Sequence, residues 1–574
     1  MKKDSNKTDI RPYTRQFFRG NYGYMLLILI EIILMVGLNL VVSWILQQIT
    51  DVISGIDTGF SLLALLLISI ASVLAIGVCG ILQYIAIPTF ATRGISRYKE
   101  YVFSELTKKN ISAFSGENTS TYISALTNDI ATIEQGYLTN MYSIISSSMF
   151  LVGGLGLMLW YSPILTLAAI LLSFLPMIVS LVAGDRMAVA EKAVSAKNET
   201  YTSTLKDCLT GFAVIKSFKA EAQMIKIFKN NIKSLAKSQS KKHRIGIIIS
   251  SVASMTSVIA ELGVFILAAY LALAGKGITP GTAIVFVQLM NFVVNPLSVI
   301  PTCIAQRKSA IALIRKTATA LNTNIREETD SEAKPLTNGI EISGLSFGYE
   351  AEKQVLKNIS CRFELGKKYA IVGQSGCGKS TLLNLLMASN SDYEGTICYD
   401  NTELRDMNSS DLYELQSIIQ QNVFVFNATI RDNITMFQSF HEERINEAIR
   451  LSGLASLIRE KGEDYLCGEN GSGLSGGEKQ RISIARSLLK RSQVLLVDEA
   501  TSALDAETAY QVSGAILGLD GITGIVVTHA LDENLLRKYD CILTLKNGEI
   551  VEAGTFDSLI AEKGYFYSLF TISQ

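Results

Sequence analysis

Two stretches of this chain have residue types and spacings suited to phosphate chemistry. Gly373-Gln374-Ser375-Gly376-Cys377-Gly378-Lys379-Ser380 fits the pattern GxxxxGK[ST], follows an apolar run over 369–372 and leads into a helical pattern from Thr381. Glycines in such a loop let backbone N–H groups wrap phosphates, the lysine reaches the β- and γ-phosphates, and the serine hydroxyl ligates Mg²⁺. Gly373, Gln374, Ser375, Gly376, Cys377, Gly378, Lys379, Ser380 and Thr381 are therefore the candidate ATP contacts. Downstream, the apolar run 494–497 reads as a buried parallel strand. It ends in Asp498 and Glu499, at the place where open α/β sheets hold their ligands. Asp498 is expected to hold Mg²⁺ with Ser380, and Glu499 to orient or deprotonate the attacking water. A structural carboxylate beside the metal is the other reading of Glu499. His529 follows the strand-like run 524–527 and is read as a γ-phosphate sensor, against the alternative of a core histidine. Leu474-Ser475-Gly476-Gly477-Glu478 runs straight into a helical segment, so its N–H groups and helix dipole face an anion. Together these features predict nucleotide hydrolysis.

A sheet and its helices suffice to position these residues, and the chain is far longer than that. At 574 residues it exceeds one ordinary core, so two or more domains are expected. Apolar residues make up 48 % and the mean hydropathy is +0.30. Those averages hide a split between an apolar first part, to about residue 305, and an ordinary soluble composition after it; the pattern predicts a membrane domain fused to a globular one. Lys+Arg and Asp+Glu balance at 52 each, which argues against a nucleic-acid partner. The 8 cysteines show no CxxC and the 3 histidines do not cluster, so neither a disulfide framework nor a zinc centre is expected.

Apolar spans run over 22–47, 61–88, 141–161, 164–182, 245–274 and 283–304, each near or beyond the ~20 residues that cross a bilayer. The first is too long for a signal-peptide core and is read as a retained span. Connections 51–60 and 161–163 carry no Lys or Arg, and 274–281 carries only Lys276. The other connections are basic, with Arg93, Arg97, Lys99, Lys108, Lys109, Arg186, Lys241, Lys242 and Arg244. The charge bias places both termini and the soluble domain in the cytoplasm, with six spans in a cell membrane. Residues 93–140 and 184–244 are rich in helix formers and are read as helices that leave the membrane and turn back, near 119–122 and 210–213. The expected domains are a cytoplasmic segment 1–20, a six-span domain 21–316, a polar linker 317–338 and a nucleotide domain 339–574. The fold class is thus an α-helical polytopic membrane domain fused to an α/β P-loop NTPase domain.

Read together, the motifs of the second domain resemble the nucleotide-binding domain of ABC transporters, and the whole chain is similar to a half-transporter of the exporter type (type IV). The resemblance implies that Tyr349 stacks on adenine and that Gln421 senses Mg²⁺ and the attacking water. It makes His529 the switch histidine and assigns 502–505, with Ser502 and Asp505, to a loop that crosses a dimer. Glu469 matches an acidic segment that contacts the opposing membrane domain. Ser475, Gly476, Gly477 and Glu478 would complete the ATP site of a second copy, or of a homologous half-transporter. The family's commonest residue at position 478 is Gln; with Glu one residue beyond the phosphate-facing glycines, the side chain is expected to point away.

Glu31 and Glu261 lie in apolar runs and are costly in lipid. With Gln288, Asn291 and Asn295 they are candidates for a polar substrate cavity; alternatively Glu31 lies near the headgroups and Glu261 bonds a neighbouring helix. Pro296 and Pro301 predict a bend in the last span. The resulting expectation is an ATP- and Mg²⁺-dependent exporter of a small amphiphilic, lipid-like or peptide cargo, bacterial in origin, working by alternating access. An exporter-shaped importer of siderophore-like cargo and an ATP-gated channel or regulator are the alternatives.

Overall fold

Backbone polar groups inside a bilayer must be satisfied within their own segment, so long apolar stretches fold as helices. The computed structural model describes residues 9–109, 111, 114, 119–322, 334–349, 353–499, 501 and 503–573. The chain divides into two units, Met1–Thr107 with Asn118–Asn322, and Lys108–Glu117 with Thr323–Gln574. The described helices of the first unit are α1 (Arg11–Phe18), α2 (Tyr22–Ile53), α3 (Leu62–Thr107), α4 (Thr119–Leu126), α5 (Asn128–Ile133), α6 (Asn140–Tyr161), α7 (Pro163–Thr210), α8 (Phe212–Ser217), α9 (Glu221–Leu273) and α10 (Pro280–Asn322). A π-helical turn, Glu134–Thr139, joins α5 to α6.

Among the described residues, α2, α3, Asn128–Tyr161, α9 and α10 are long and apolar enough to cross a membrane, and α7 contributes the shorter apolar run Pro163–Pro176. The fourth expected span, 164–182, includes side chains outside the described set. Helices α7 and α9, 48 and 53 residues long, extend well past their apolar parts and pair there. Asn231 Nδ2 donates to Thr204 Oγ1 at 2.8 Å, the Tyr201 and Phe228 rings lie 5.5 Å apart, and Lys242 meets Glu191 at 2.5 Å.

Several boundaries differ from expectation for physical reasons. The described part of the N-terminal segment, 9–20, packs into the core: Tyr13 and Phe17, one helical turn apart, are buried, with Phe17 stacked on Tyr98 at 5.1 Å and Tyr13 edge-on to Tyr101 at 5.2 Å. The first expected turn, 119–122, is helical in α4, and most of the segment just before it lies outside the described residues. The second sits at Gly211, inside 210–213, where the helix breaks between α7 and α8. Pro296 and Pro301 lie within the continuous helix α10, which also takes in 317–322 of the expected linker. Ile314, Ala318 and Leu321 form a buried stripe at helical spacing and keep those residues in the core.

At the opposite end of α10, Asp51 caps the helix. Its Oδ1 accepts from the Gly281 N–H at 2.9 Å and its Oδ2 from the Thr279 hydroxyl at 2.9 Å. A Cβ on Gly281 would lie 2.4 Å from the Gln47 carbonyl, so only glycine permits this approach. Tyr161 donates its hydroxyl to Gln47 Oε1 at 2.5 Å, fastening α6 to the same point.

The second unit contains β1 (Gly339–Phe347), β2 (Leu356–Glu364), β3 (Lys368–Gly373), β4 (Glu394–Tyr399), β5 (Thr402–Glu403), β6 (Gln416–Ile419), β7 (Val494–Asp498), β8 (Thr523–Val527), β9 (Cys541–Lys546) and β10 (Glu549–Gly554). One antiparallel sheet has the order β2-β1-β4-β5; the other has the order β10-β9-β3-β8-β7-β6 and is parallel except at β10. Strand β3 is buried along its whole length, as a parallel strand covered on both faces should be. Helices relevant below are α11 (Lys379–Leu386), α12 (Ile430–Thr435), α13 (Ala455–Lys461), α14 (Gly476–Lys490) and α15 (Ala506–Leu517). Asp400, between β4 and β5, accepts N–H bonds from Thr337, Asn338 and Gly339 at 2.8, 2.8 and 2.9 Å, which fixes the start of β1.

Candidate functional site

The order β3-β8-β7-β6 sets the carboxyl ends of four parallel strands side by side, the edge at which such sheets bind ligands. The phosphate loop follows β3, His529 follows β8, Asp498 ends β7 with Glu499 next, and Gln421 follows β6. Residues far apart in sequence thus converge because hydrophobic strands pair in register.

In the loop, Gly373, Gly376 and Gly378 have φ of +153°, +80° and +108°. Side chains are excluded at both ends: a Cβ on Gly373 would lie 2.3 Å from the Leu545 carbonyl, and one on Gly378 2.6 Å from Leu356 Cδ2. Lys379 is buried and its Nζ donates to the carbonyls of Gly373 and Gln374 at 2.8 and 3.0 Å, keeping the ammonium over the loop. Cys377 is also buried, its sulfur turned toward Gly373. Gln374, Ser375 and Gly376 form the exposed crest, and Thr381 lies in the first turn of α11. Tyr349 is 61 % exposed, edge-on to Phe347 at 5.0 Å, with its hydroxyl 3.5 Å from Thr381 Oγ1. An open aromatic face beside the loop suits a base.

Ser380 Oγ donates to Asp498 Oδ1 at 3.0 Å. Burial pushes the Asp498 carboxyl above the ordinary Asp value, the neighbouring Glu499 adds to the rise, and Ser380 and Lys379 pull against it. A hydroxyl and a carboxylate oxygen beside a phosphate cradle are the hard oxygen donors Mg²⁺ takes, with phosphate and water completing the shell. These residues fit that ion. Gln421 reaches the same edge, its amide nitrogen on Glu499.

Glu499 is clamped from several directions. Gln421 Nε2 donates to its Oε2 at 2.9 Å and His529 Nε2 lies 2.9 Å from its Oε1. Its N–H donates to the Val527 carbonyl at 3.1 Å, and its own carbonyl accepts from Gln480 Nε2 at 3.2 Å. The backbone there is left-handed, φ +49°, a strained conformation for a non-glycine residue of the kind held at functional sites. His529 is therefore part of the edge rather than a core histidine; its side chain is 45 % exposed.

At Leu474–Glu478 the geometry corrects one expectation. Ser475 caps α14: its Oγ accepts from the Glu478 N–H at 3.3 Å, while Glu478 Oε2 accepts from the Ser475 N–H at 2.6 Å. Glu478 therefore does not point away; a capping box folds its carboxylate back over the helix start. Burial raises its carboxyl, but the bonds from Ser475 and the charge of Lys461 outweigh this and hold it below the ordinary Glu value. Gly477 lies close to the following loop, where a Cβ would sit a tight 3.0 Å from the Ala503 carbonyl. Glu469 is exposed in a short 3₁₀ turn. Asp505 caps α15, accepting from the Thr508 N–H at 3.0 Å. Ser502 lies outside the described residues.

Of the membrane candidates, Glu31 is 1 % exposed inside the bundle. Neither carboxylate oxygen has a hydrogen-bond partner among the described residues. It is enclosed rather than set on an open wall. Gln288, Asn291 and Asn295 share one side of α10, with Asn291 and Asn295 exposed, and Glu261 is half-buried on α9.

Three features escaped sequence reasoning. Gln480 joins α14 to the active edge by bonding Glu499 and accepting from the Ala503 N–H at 3.1 Å. Arg486 bonds the carbonyls of Phe424 and Asn433 at 2.7 and 2.5 Å, tying the segment after Gln421 to α14. Asp51, first residue of the charge-poor connection 51–60, instead caps α10. Their only signal was a polar residue at a buried helical position, visible once the helix phase is known.

Family models for the ABC transporter transmembrane region and for the ABC transporter match residues 25–297 and 356–502. An ATP-dependent lipid A-core flippase of Syntrophus aciditrophicus is 29 % identical over 502 residues, covering 86 % of this chain and 82 % of that protein. YfiC of Bacillus subtilis, an uncharacterized ABC transporter ATP-binding protein, is 29 % identical over 497 residues, covering 84 % and 80 %. The solved structure of a bacterial Atm1-family ABC exporter with ATP bound superposes with a TM-score of 0.83 at 20 % identity, covering 97 % of this chain and 98 % of that one.

Proposed function

The chain belongs to the ABC transporter family, as a multi-pass half-transporter with the exporter-type fold, and we propose that two copies hydrolyse ATP with Mg²⁺ to export a lipid-like or other small amphiphile. The observation that carries this reading is Glu499, held between Gln421 and His529 beside the Ser380–Asp498 pair and the phosphate loop. Mg²⁺, when bound, supplies charge neutralisation at the phosphates. The chain supplies the rest. Lys379 and the loop amides hold the β- and γ-phosphates, Glu499 takes the proton of the attacking water, and Gln421 and His529 fix where that carboxylate points. Tyr349 offers the exposed face on which adenine stacks.

Ser475, Gly476 and Gly477 serve the ATP of a second copy, so binding closes two nucleotide domains on each other and hydrolysis releases them. Glu469, Ser502 and Asp505 transmit that closure. The spans, with both termini and the nucleotide domain on the cytoplasmic side of a bacterial cell membrane, alternate in response. The naming of several relatives as lipid A-core flippases supports a lipid-like cargo, and the polar side of α10 formed by Gln288, Asn291 and Asn295 is where its headgroup would pass.

Purified protein in liposomes with the nucleotide domains facing outward tests this. Labelled lipid or amphiphile is expected to move away from the nucleotide-domain side only with ATP and Mg²⁺. Accumulation on that side would replace export with import, and an ATP-opened ion conductance without cargo movement would replace transport with gating.

A further inference from the structure

The one departure from the family pattern in the signature loop, Glu478, has a consequence for the neighbouring Lys461. A glutamine at 478 could complete the same capping box without charge. Glutamate places a full negative charge on the N-terminus of α14, whose dipole would otherwise attract phosphate. That charge is close: Glu478 Oε2 is 2.6 Å from the Ser475 nitrogen, on the residue expected to touch nucleotide. Lys461, at the end of α13, reaches over with Nζ 3.6 Å from Glu478 Oε1. It is tethered there, donating to the Gly473 carbonyl at 3.2 Å and lying 5.1 Å from the centre of the Tyr465 ring. Tyr465 in turn donates its hydroxyl to the Gly473 carbonyl at 3.4 Å. Both charged side chains are sheltered, 22 % and 16 % exposed, so water screens them weakly.

We propose that Lys461 is a positioning residue for ATP in trans: its ammonium neutralises the Glu478 carboxylate, so that the phosphates of the second copy's nucleotide can approach the helix start. The inference rests on the reading that Ser475 to Gly477 complete a second copy's site. Without Lys461, Glu478 would repel the incoming phosphate, and the loss would appear in apparent ATP affinity more than in turnover.

The test is a double-substitution cycle in the full-length protein in lipid nanodiscs, reading ATPase activity against ATP concentration. Lys461→Met is expected to raise KM for ATP about tenfold while changing kcat less. In a Glu478→Gln background the same substitution is expected to shift KM less than about twofold, because no charge is left to neutralise. Lys461→Arg is expected to keep most of the affinity. An equal effect of Lys461→Met in both backgrounds would mean that the loss comes from its contacts with Gly473 and Tyr465, and would overturn the proposal. So would an unchanged KM. Ser475→Arg, with fluorescent-nucleotide binding as the check on folding, separates the two ideas. If hydrolysis survives it, the second-copy reading fails; if hydrolysis is lost while Lys461→Met has no effect, only the role of Lys461 falls.

Discussion

Glu499 is held by both carboxylate oxygens, its N–H and its carbonyl, so substitution should change chemistry without moving the backbone. Glu499→Gln is expected to lower ATP hydrolysis by about 10²-fold or more while nucleotide binding persists, measured by phosphate release and by fluorescent-nucleotide titration. Retained hydrolysis would return Glu499 to the role of a structural carboxylate. Cys377 gives a second prediction. The residue is 7 % exposed and its sulfur is packed toward Gly373, so maleimide should label it slowly, with loss of ATP binding tracking the labelling. Cys377→Ser should abolish that loss. At this scale the site was largely legible, because the phosphate loop and the Asp498-Glu499 pair are contiguous and their chemistry dictates their residue types. The orientation of Glu478 was not. Whether a carboxylate turns out or folds back into a cap depends on the helix phase and on Lys461, which lies on another helix.

Elements are positioned by capping groups. Asp400 accepts from the backbone of Thr337, Asn338 and Gly339. Burial raises its carboxyl, yet those bonds prevail and hold it below the ordinary Asp value. Its contribution to stability is therefore complete above that value and is lost as pH falls through the lower value of the folded state. Corrected for the intrinsic pH dependence of exchange, amide protection at Thr337 to Gly339 should fall below pH ~4, and Asp400→Asn should show low protection already at neutral pH with a flatter acid dependence. In the membrane unit, Asp51→Ala would strand the buried Gly281 N–H, while the Thr279 hydroxyl keeps its bond with Thr282, at a cost of about 1–3 kcal/mol. Thermal unfolding in detergent should show the loss, with Asp51→Asn milder because its amide oxygen still accepts one bond. Strands and helices themselves were readable from apolar runs and periodicity. Their ends were less so: 317–322 looked polar enough for a linker, and only the burial of Ala318 and Leu321 shows why α10 continues.

For the molecule as a whole, composition alone separated an apolar part from a soluble one, since a bilayer demands apolar length and a P-loop sheet does not. What composition could not reveal is which polar groups in the apolar part meet each other. Glu31 lies enclosed and Gln288, Asn291 and Asn295 share one side of α10; that distinction depends on helix rotation. In liposomes, replacing Asn291 and Asn295 together by Leu should lower cargo-stimulated ATPase while leaving the cargo-free rate within about twofold, since a cavity contact adds binding energy only when cargo is present. Equal loss of both rates would count against a cargo-facing side.

The Gln480 bridge bears on what happens when subunits differ. Within one chain it fastens the helix that starts at Ser475 to the carbonyl of Glu499 and the N–H of Ala503. On the proposal that Ser475 to Gly477 serve a second copy's ATP, a defect at either end of that bridge reaches both the chain's own nucleotide and its neighbour's. In a cell making intact and defective copies together, mixed pairs would be spoiled as well as uniform defective ones. Output would fall faster than the share of intact copies, and a loss-of-function allele would behave as dominant.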